Sequence, residues 1–118
     1  MSTQPKGYLT PEQYLEIERQ ALYKSDYFQG ELSAAAGAKE AHVVVVGNLF
    51  TALHRQLRSR PRRVYANDMR VAVTATGLYV YPDVVAVCAE RRFLDERHDT
   101  LLNPTLIVEV LSPSTGSA

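Results

Sequence analysis

The sequence has little of several features that define large classes of proteins. Cys88 is the only cysteine, which excludes an internal disulfide and favours a reducing compartment. The first seven residues lack the long apolar core of a signal peptide. No apolar run approaches the roughly 20 residues that a membrane span requires. We therefore expect a cytoplasmic protein without a membrane segment.

An excess of charge is also absent, because 13 Lys and Arg residues balance 13 Asp and Glu residues. Nucleic-acid-binding domains usually carry a basic excess. The total charge therefore does not indicate nucleic-acid binding, although it does not exclude a local basic surface. Glycine-rich phosphate loops, zinc-ligand spacings and nucleophile elbows are missing too. The 118 residues, 46% of them apolar, predict one domain with a modest core.

Hydrophobic periodicity and turn residues predict an α+β fold, a sheet with helices packed against it. The predicted elements are a short capped helix from Thr10 to about Leu22, a hairpin over 27–32, a helix over 39–58, strands over 64–73 and 78–88 joined by a turn at 74–77, and a strand over 105–111. Turn and linker residues follow directly on the last strand. We therefore expect a single domain over 1–118 that is incomplete at its C-terminus.

Five arginines gather around the end of the second predicted helix. They are Arg55, Arg58, Arg60, Arg62 and Arg63. One interpretation is that they complement the negative end of the helix dipole and face water. The other is that they form a patch that contacts nucleic-acid phosphates.

Two acids lie within apolar, valine-rich runs. Asp83 belongs to the run Tyr81-Pro82-Asp83-Val84-Val85, and Glu109 to the run over 106–111. An unpaired carboxylate in such a strand costs several kcal/mol, in rough terms. If the two strands pair with these acids near each other, a shared Mg²⁺ or Mn²⁺ resolves their repulsion and is able to activate water against a phosphodiester. The alternative is that each acid caps a turn, pairs with an arginine or faces water, with Arg70 as one partner for Asp83.

Five residues outside the two acids either allow more than one interpretation or favour a structural one. His42 is a general base, a metal ligand or a hydrogen-bonded core residue, and Glu31 is a third acid of the site or a solvent-facing hairpin residue. Asp68 and Arg70 are predicted to form a cross-strand structural pair. Cys88 is predicted to be a buried, inert thiol.

Several stretches together resemble the Uma-type family, which is described as "putative restriction endonucleases" within the PD-(D/E)XK nuclease superfamily. The stretches are residues 8–15, 27–32, 41–42, 47–49, 68–71, 81–85 and 108–115. The resemblance implies a restriction-endonuclease-like mixed sheet flanked by helices and a magnesium-dependent phosphodiesterase site acting on DNA. It makes Asp83 and Glu109 the motif acids and metal ligands, and it places Glu31 and His42 in the same site.

The sequence departs from the superfamily pattern at one position. The third motif residue is a lysine two positions after the glutamate, and here that position is Leu111. In Uma-type proteins a lysine on a following helix takes its place, and the 118 residues stop before such a helix. Loss of an electrostatic stabiliser costs on the order of a hundredfold in rate. We therefore expect these residues alone to be a weak or inactive nuclease, with exposed apolar surface that favours a homodimer.

Two other functions remain open alongside a metal-dependent DNA endonuclease. One is a non-catalytic DNA-binding module with the nuclease fold, in which the arginine patch binds DNA and no metal supports cleavage. The other is a dimerising scaffold that ignores nucleic acid, which fits the neutral total charge.

Overall fold

The computed structural model describes residues 8–34 and 38–111. Within these ranges the chain forms helices and strands in the order α1 (Pro11–Glu18), β1 (Ser25–Phe28), β2 (Glu31–Ala34), α2 (Glu40–Gln56), β3 (Arg63–Tyr65), β4 (Arg70–Val73), β5 (Leu78–Val80), β6 (Val84–Val87), β7 (Thr100–Leu101) and β8 (Leu106–Val108). The α+β prediction is confirmed. None of the described helices is both long and apolar enough to cross a bilayer.

Helix α1 begins as predicted and ends earlier. The Thr10 side chain accepts from the Gln13 backbone N–H, and the Gln13 side chain accepts from the Thr10 N–H, which completes a capping box. Pro11 occupies the first turn, where its missing N–H costs nothing. The helix ends at Glu18, and Leu22 lies beyond it with 92% of its surface exposed. The prediction that Leu22 belongs to the amphipathic helix is therefore wrong.

The first hairpin is formed by β1 and β2, as predicted from its Gln-Gly turn. Gln29 and Gly30 both have positive φ angles, 47° and 98°, as the two central residues of a type I′ turn require. The register pairs Phe28 with Glu31 and Tyr27 with Leu32. Strand β2 therefore starts directly after the turn.

The strands form two sheets, whereas the sequence predicted one. The first sheet has the order β2-β1-β5-β4-β7, and the second has the order β3-β6-β8. Each predicted long strand is broken: residues 66–69 form a turn between β3 and β4, and Tyr81-Pro82 separates β5 from β6. Pro82 has no N–H and cannot extend a strand ladder, so the chain leaves one sheet there and enters the other.

Alternate residues of β4 face two different core clusters. Ala72 packs in a cluster with Tyr14 of α1 and with Tyr27 and Tyr79 of the first sheet. Val71 packs with Leu101, Val85 and Val87, a cluster that joins the two sheets. Helix α2 contacts β3 and β6 of the second sheet. Helix α1 therefore covers the first sheet, the sheets pack on each other, and α2 covers the second.

Three further predictions about the strands are corrected. Strand β7, which pairs in parallel with β4, lies in a segment predicted to be a charged connection. Strand β8 was predicted to be a buried strand, but it is an edge strand whose Leu106 and Ile107 are exposed. Cys88 follows the last residue of β6 and is exposed, because the burial of that strand ends at Val87.

Candidate active site at the crossing between the sheets

Asp83 lies where the chain passes from the first sheet to the second. It occupies a bend immediately before β6, so the alternation of a strand does not set its direction. Its Oδ1 is 3.2 Å from Nε2 of His42 in the first turn of α2. Its Oδ2 accepts a hydrogen bond of 2.7 Å from the Val110 backbone N–H. Asp83 is thus held between α2 and the segment after β8.

This placement corrects the expected direction of the Asp83 side chain. If residues 81–87 formed one continuous strand, the alternation of side chains would place Asp83 on the same face as Val85. Val85 instead packs against Val71 and Leu101 between the sheets, whereas Asp83 contacts His42 of α2. The bend at Asp83 is the reason, because side chains alternate only within the extended ladder.

Glu109 comes next to Asp83 through the pairing of β6 with β8. The register joins Val84 with Val108 and Val85 with Ile107, so one further step sets residue 83 opposite residue 109. Burial first, and then the nearby Asp83 carboxylate, raise the pKa of Glu109. The Asp83 backbone N–H and His42 act in the opposite direction. The Asp83 carboxylate therefore disfavours the charged form of Glu109, in addition to the larger effect of burial.

Within residues 8–34 and 38–111, no arginine or lysine forms an ion pair with Asp83 or Glu109. In the parts of the chain that the structure describes, the ion pairs of arginine and lysine involve Asp95, Asp99 and Asp68, not Asp83 or Glu109. The expectation that Arg70 might pair with Asp83 is therefore wrong. Arg70 lies 3.1 Å from Asp99 instead.

Asp26 of β1 is a third acid near the site, and the sequence analysis missed it. It also raises the pKa of Glu109. Burial is the main cause that raises the pKa of Asp26 itself, with Glu18 adding to it and the Tyr81 backbone N–H opposing it. The sequence signal was an acid directly before Tyr27, one residue outside the predicted hairpin.

A partly buried hydrogen-bond network holds Tyr81, the residue at which the chain leaves the first sheet. The Tyr81 hydroxyl donates to Glu18 Oε2 at 2.5 Å and accepts from Arg70 Nη1 at 2.8 Å. Glu18 Oε2 also accepts from the Ser25 backbone N–H at 2.9 Å. Burial, together with the Glu18 carboxylate, raises the pKa of Tyr81 to about 12, so the phenol keeps its proton. The network fixes the residue that precedes Pro82 and Asp83.

The predicted Asp68–Arg70 pair does not form. Asp68 binds Lys24 at 2.9 Å on the surface, whereas Arg70 is 5% exposed and donates to Thr100 and Tyr81. The turn over 66–69 separates the two residues in space, because Asp68 lies in the turn and Arg70 begins β4.

The acids fit a metal ion that keeps most of its water. Among the described residues, no group of three or more His, Cys, Asp or Glu side chains is arranged to hold a metal. Mg²⁺ is commonly held by only one or two carboxylates and retains several waters, which suits Asp83 and Glu109. Each carboxylate oxygen has two lone pairs, so the bonds that Asp83 already makes leave acceptor capacity. His42 Nδ1 is buried without a hydrogen-bond partner in the same part of the chain.

Glu31 and the arginines make no hydrogen bond or ion pair with these acids among the described residues. Glu31 is an exposed residue on β2, the edge strand of the first sheet. Arg55 lies in the last turn of α2, at the opposite end from His42, and the other four arginines follow the helix. Arg58, Arg62 and Arg63 line one cavity there, and Arg55, Arg58 and Arg60 are exposed.

Comparison with known proteins gives a consistent family and fold. A family model described as "Uma2: Putative restriction endonuclease" matches residues 11–118. Two proteins of Synechocystis sp., "Uncharacterized protein sll1609" and "Uncharacterized protein slr1290", are 38% and 34% identical to 92% and 91% of the chain. The chain spans 61% and 55% of their lengths.

A solved structure has the same fold. It is a "putative nuclease belonging to DUF820" from Anabaena variabilis, with a TM-score of 0.70 and 16% sequence identity. The match covers 90% of this chain and 60% of that one. The expected restriction-endonuclease-like arrangement of a mixed sheet and helices is thereby confirmed.

Proposed function

Because the chain belongs to the Uma2 family, whose description is "Putative restriction endonuclease", we propose that it contributes the acidic centre of a Mg²⁺- or Mn²⁺-dependent enzyme that hydrolyses phosphodiester bonds of DNA. The observation that carries the proposal is the pairing of β6 with β8. It pairs Val84 with Val108, and the Asp83 backbone N–H hydrogen-bonds to the Glu109 carboxyl. No arginine or lysine of the described residues forms an ion pair with either acid.

The charges of the site explain why a cation is needed. Two unit charges 4 Å apart repel by about 4 kcal/mol at an effective dielectric of 20, and a DNA phosphate would add a further negative charge. Burial is the first cause of the raised pKa of Glu109, and the Asp83 carboxylate adds to it. A divalent cation bound there would supply polarisation of the phosphodiester and activation of water.

The chain's own residues have distinct roles in this proposal. Asp83 and Glu109 hold the cation, and the Val110 N–H fixes the second oxygen of Asp83. His42 orients Asp83 through Nε2, and its Nδ1 is buried without a hydrogen-bond partner among the described residues, so we assign His42 a positioning role. The Asp26 carboxylate adds a further negative charge near Glu109, which favours a bound cation.

Calorimetric titration with Mn²⁺ tests the metal site. We expect the wild-type chain to bind Mn²⁺, and Asp83→Asn and Glu109→Gln each to weaken binding by about tenfold or more, since each removes one of two charged ligands. Asp68→Asn is the matched control, because Asp68 is a surface acid with 87% of its side chain exposed. Unchanged heat in Asp83→Asn would exclude this site.

A non-catalytic DNA-binding module is the second candidate, and Leu111 favours it. Leu111 takes the position two residues after Glu109 and is 71% exposed, so that position offers no cation to a transition state. Nicking of supercoiled plasmid in Mn²⁺ separates the two functions. Slow nicking that Asp83→Asn abolishes supports the hydrolase, whereas Mn²⁺ binding without nicking above the Asp83→Asn level supports the module.

A further inference from the structure

A cavity of about 160 Å³ lies where α2 ends and the chain enters β3. Three of its lining residues are arginines and one is a histidine. The lining consists of His54, Leu57, Arg58, Arg62, Arg63 and Val64. No acid contributes to this lining, so the cavity suits an anion.

The positive charge of this region is not compensated by neighbouring acids. The sequence has no Asp or Glu between Glu40 and Asp68. All 13 acidic side chains fall within the described ranges, yet the ion pairs there leave out every arginine of residues 55–63. Arg19 and Arg70, by contrast, both bind Asp99. The total charge is neutral, yet residues 41–67 carry five arginines and no acidic side chain.

Local hydrogen bonds orient the guanidinium groups of Arg62 and Arg63 and leave most of their N–H donors free. Arg62 Nη2 donates to Ser59 Oγ, and Arg63 Nη1 donates to the Arg62 carbonyl at 3.0 Å. A guanidinium has five N–H donors, so most remain free for a ligand. A helix dipole attracts cations only within its last turn. Arg62 and Arg63 lie beyond α2, so the dipole does not account for their convergence.

We propose that this arginine cavity binds a backbone phosphate of duplex DNA at a second point, remote from the acids. The inference rests on the proposed function, which makes DNA the substrate. Guanidinium groups bind phosphate oxygens in a bidentate manner, and such contacts position a protein on DNA without reading its sequence.

The fold sets the distance between the two contact points. Twelve residues of α2 separate His42 from His54, which is about 18 Å of helix. Four strand steps separate Asp83 from Val87, the partner of Arg63, which is about 13 Å. A DNA strand advances 3.4 Å per base pair. If the line between the two points runs along the duplex axis, the phosphate in the cavity lies about four to five base pairs from the bond at the acids.

Fluorescence anisotropy with a labelled duplex in EDTA tests the cavity without metal or cleavage. The test variant is Arg58→Ala with Arg62→Ala. The control is Arg92→Ala with Arg97→Ala, which removes the same charge from two exposed arginines outside the cavity. We expect the cavity variant to lose about tenfold in affinity at low salt, and its slope of log K against log [salt] to fall by about 1. The control should keep the wild-type slope.

A charge-preserving pair separates phosphate contact from a structural role. Arg58→Lys with Arg62→Lys should keep the salt slope of the wild type with a smaller loss of affinity, because lysine retains the charge and loses the bidentate geometry. Equal losses in the cavity and control variants, or no DNA binding by the wild type, would overturn the proposal. Asp83→Asn should still bind DNA in EDTA. The DNA-binding experiment therefore tests the cavity independently of the metal site, which the Mn²⁺ titration tests.

Discussion

The surroundings of Asp83 depend on a single neighbouring residue. Pro82 ends the ladder of the first sheet, because it has no N–H to donate, and the bend that follows turns the Asp83 carboxylate to His42. A strand residue at this position would have faced Val71 and Leu101 between the sheets, as Val85 does. The Tyr-Pro-Asp sequence thus removes an acid from a core where it would be unpaired.

Glu109→Gln should raise stability and remove metal binding at the same time. Burial and Asp83 raise the pKa of Glu109, so its charged form opposes folding above that pKa, and the opposition fades as protonation neutralises it at lower pH. At pH 8 we expect a gain of at most about 1 kcal/mol in the free energy of unfolding, because burial of Glu109 is only partial and solvent reaches the exposed part and screens its charge. Chemical denaturation at pH 8 and pH 4 measures the gain and its disappearance.

Glu90→Gln is the control for this prediction, since Glu90 is an exposed acid beyond the far end of β6. It should change neither stability nor Mn²⁺ binding. A Glu109→Gln protein that is less stable than wild type at pH 8 would contradict the idea that the acids repel each other.

Helix α1 is joined to the strands of the first sheet by ionic contacts as well as by apolar packing. Asp99, just before β7, binds Arg19 after α1 at 2.8 Å and lies 3.1 Å from Arg70 of β4. The hydrogen bond from Arg19, with the nearby charge of Arg70, lowers the pKa of Asp99 to about 2. Arg70 in turn binds Tyr81, so the α1 contact extends to the segment that carries Asp83.

Asp99→Asn should lower the free energy of unfolding at neutral pH and have little effect near pH 2. A carboxyl with a lowered pKa stabilises the fold above its unfolded value, near 3.9, and that contribution is lost as the pH falls to about 2. We expect a loss on the order of 1 kcal/mol at pH 7, after allowance for the exposed part of Asp99. The difference from wild type should shrink between pH 4 and pH 2 in urea denaturation.

Asp68→Asn again serves for comparison, because its pair with Lys24 lies on the surface. It should cost little at any pH. If the Asp99→Asn and wild-type proteins differed by the same amount at pH 2 and pH 7, the ionic contact would not be the cause.

At the scale of the whole molecule, apolar surface remains exposed on the second sheet and its helix. Strand β8 is an edge strand with Leu106 and Ile107 more than a third exposed, and α2 exposes Val43, Val44 and Val45. Exposed edge strands with apolar side chains favour pairing with another chain. This surface is the physical basis for the expected homodimer, which stays a prediction.

Ile107→Lys should reduce self-association, because a charge on an edge strand opposes pairing. Sedimentation velocity across a range of concentrations should show the dissociation constant rise by about tenfold or more. Leu22→Lys is the matched control, since Leu22 is 92% exposed outside the sheets. Equal behaviour of both variants, or a wild type that is monomeric throughout, would exclude dimerisation through β8.

Local signals predicted the elements whose causes are local. The capping box at Thr10, the turn at Gln29-Gly30 and the apolar stripe of α2 depend on residues close in the chain, so their positions could be read directly. The sheet arrangement could not, because the breaks at 66–69 and at Pro82 send continuous apolar runs into two different sheets. Strand β7 was missed since two residues carry too short a pattern to detect.

The candidate site divides in the same way. The sequence alone determined that Asp83 and Glu109 sit within apolar runs, where a carboxylate needs a partner, and that arginines crowd one end of α2. Only the tertiary structure decided that a bend turns Asp83 to His42, that Asp26 approaches from the other sheet, and that Arg70 binds Asp99 instead of the site. The physical reason is that the free energy of a charged side chain depends on the groups around it in space. The path of the chain from one sheet to the other determines which groups those are.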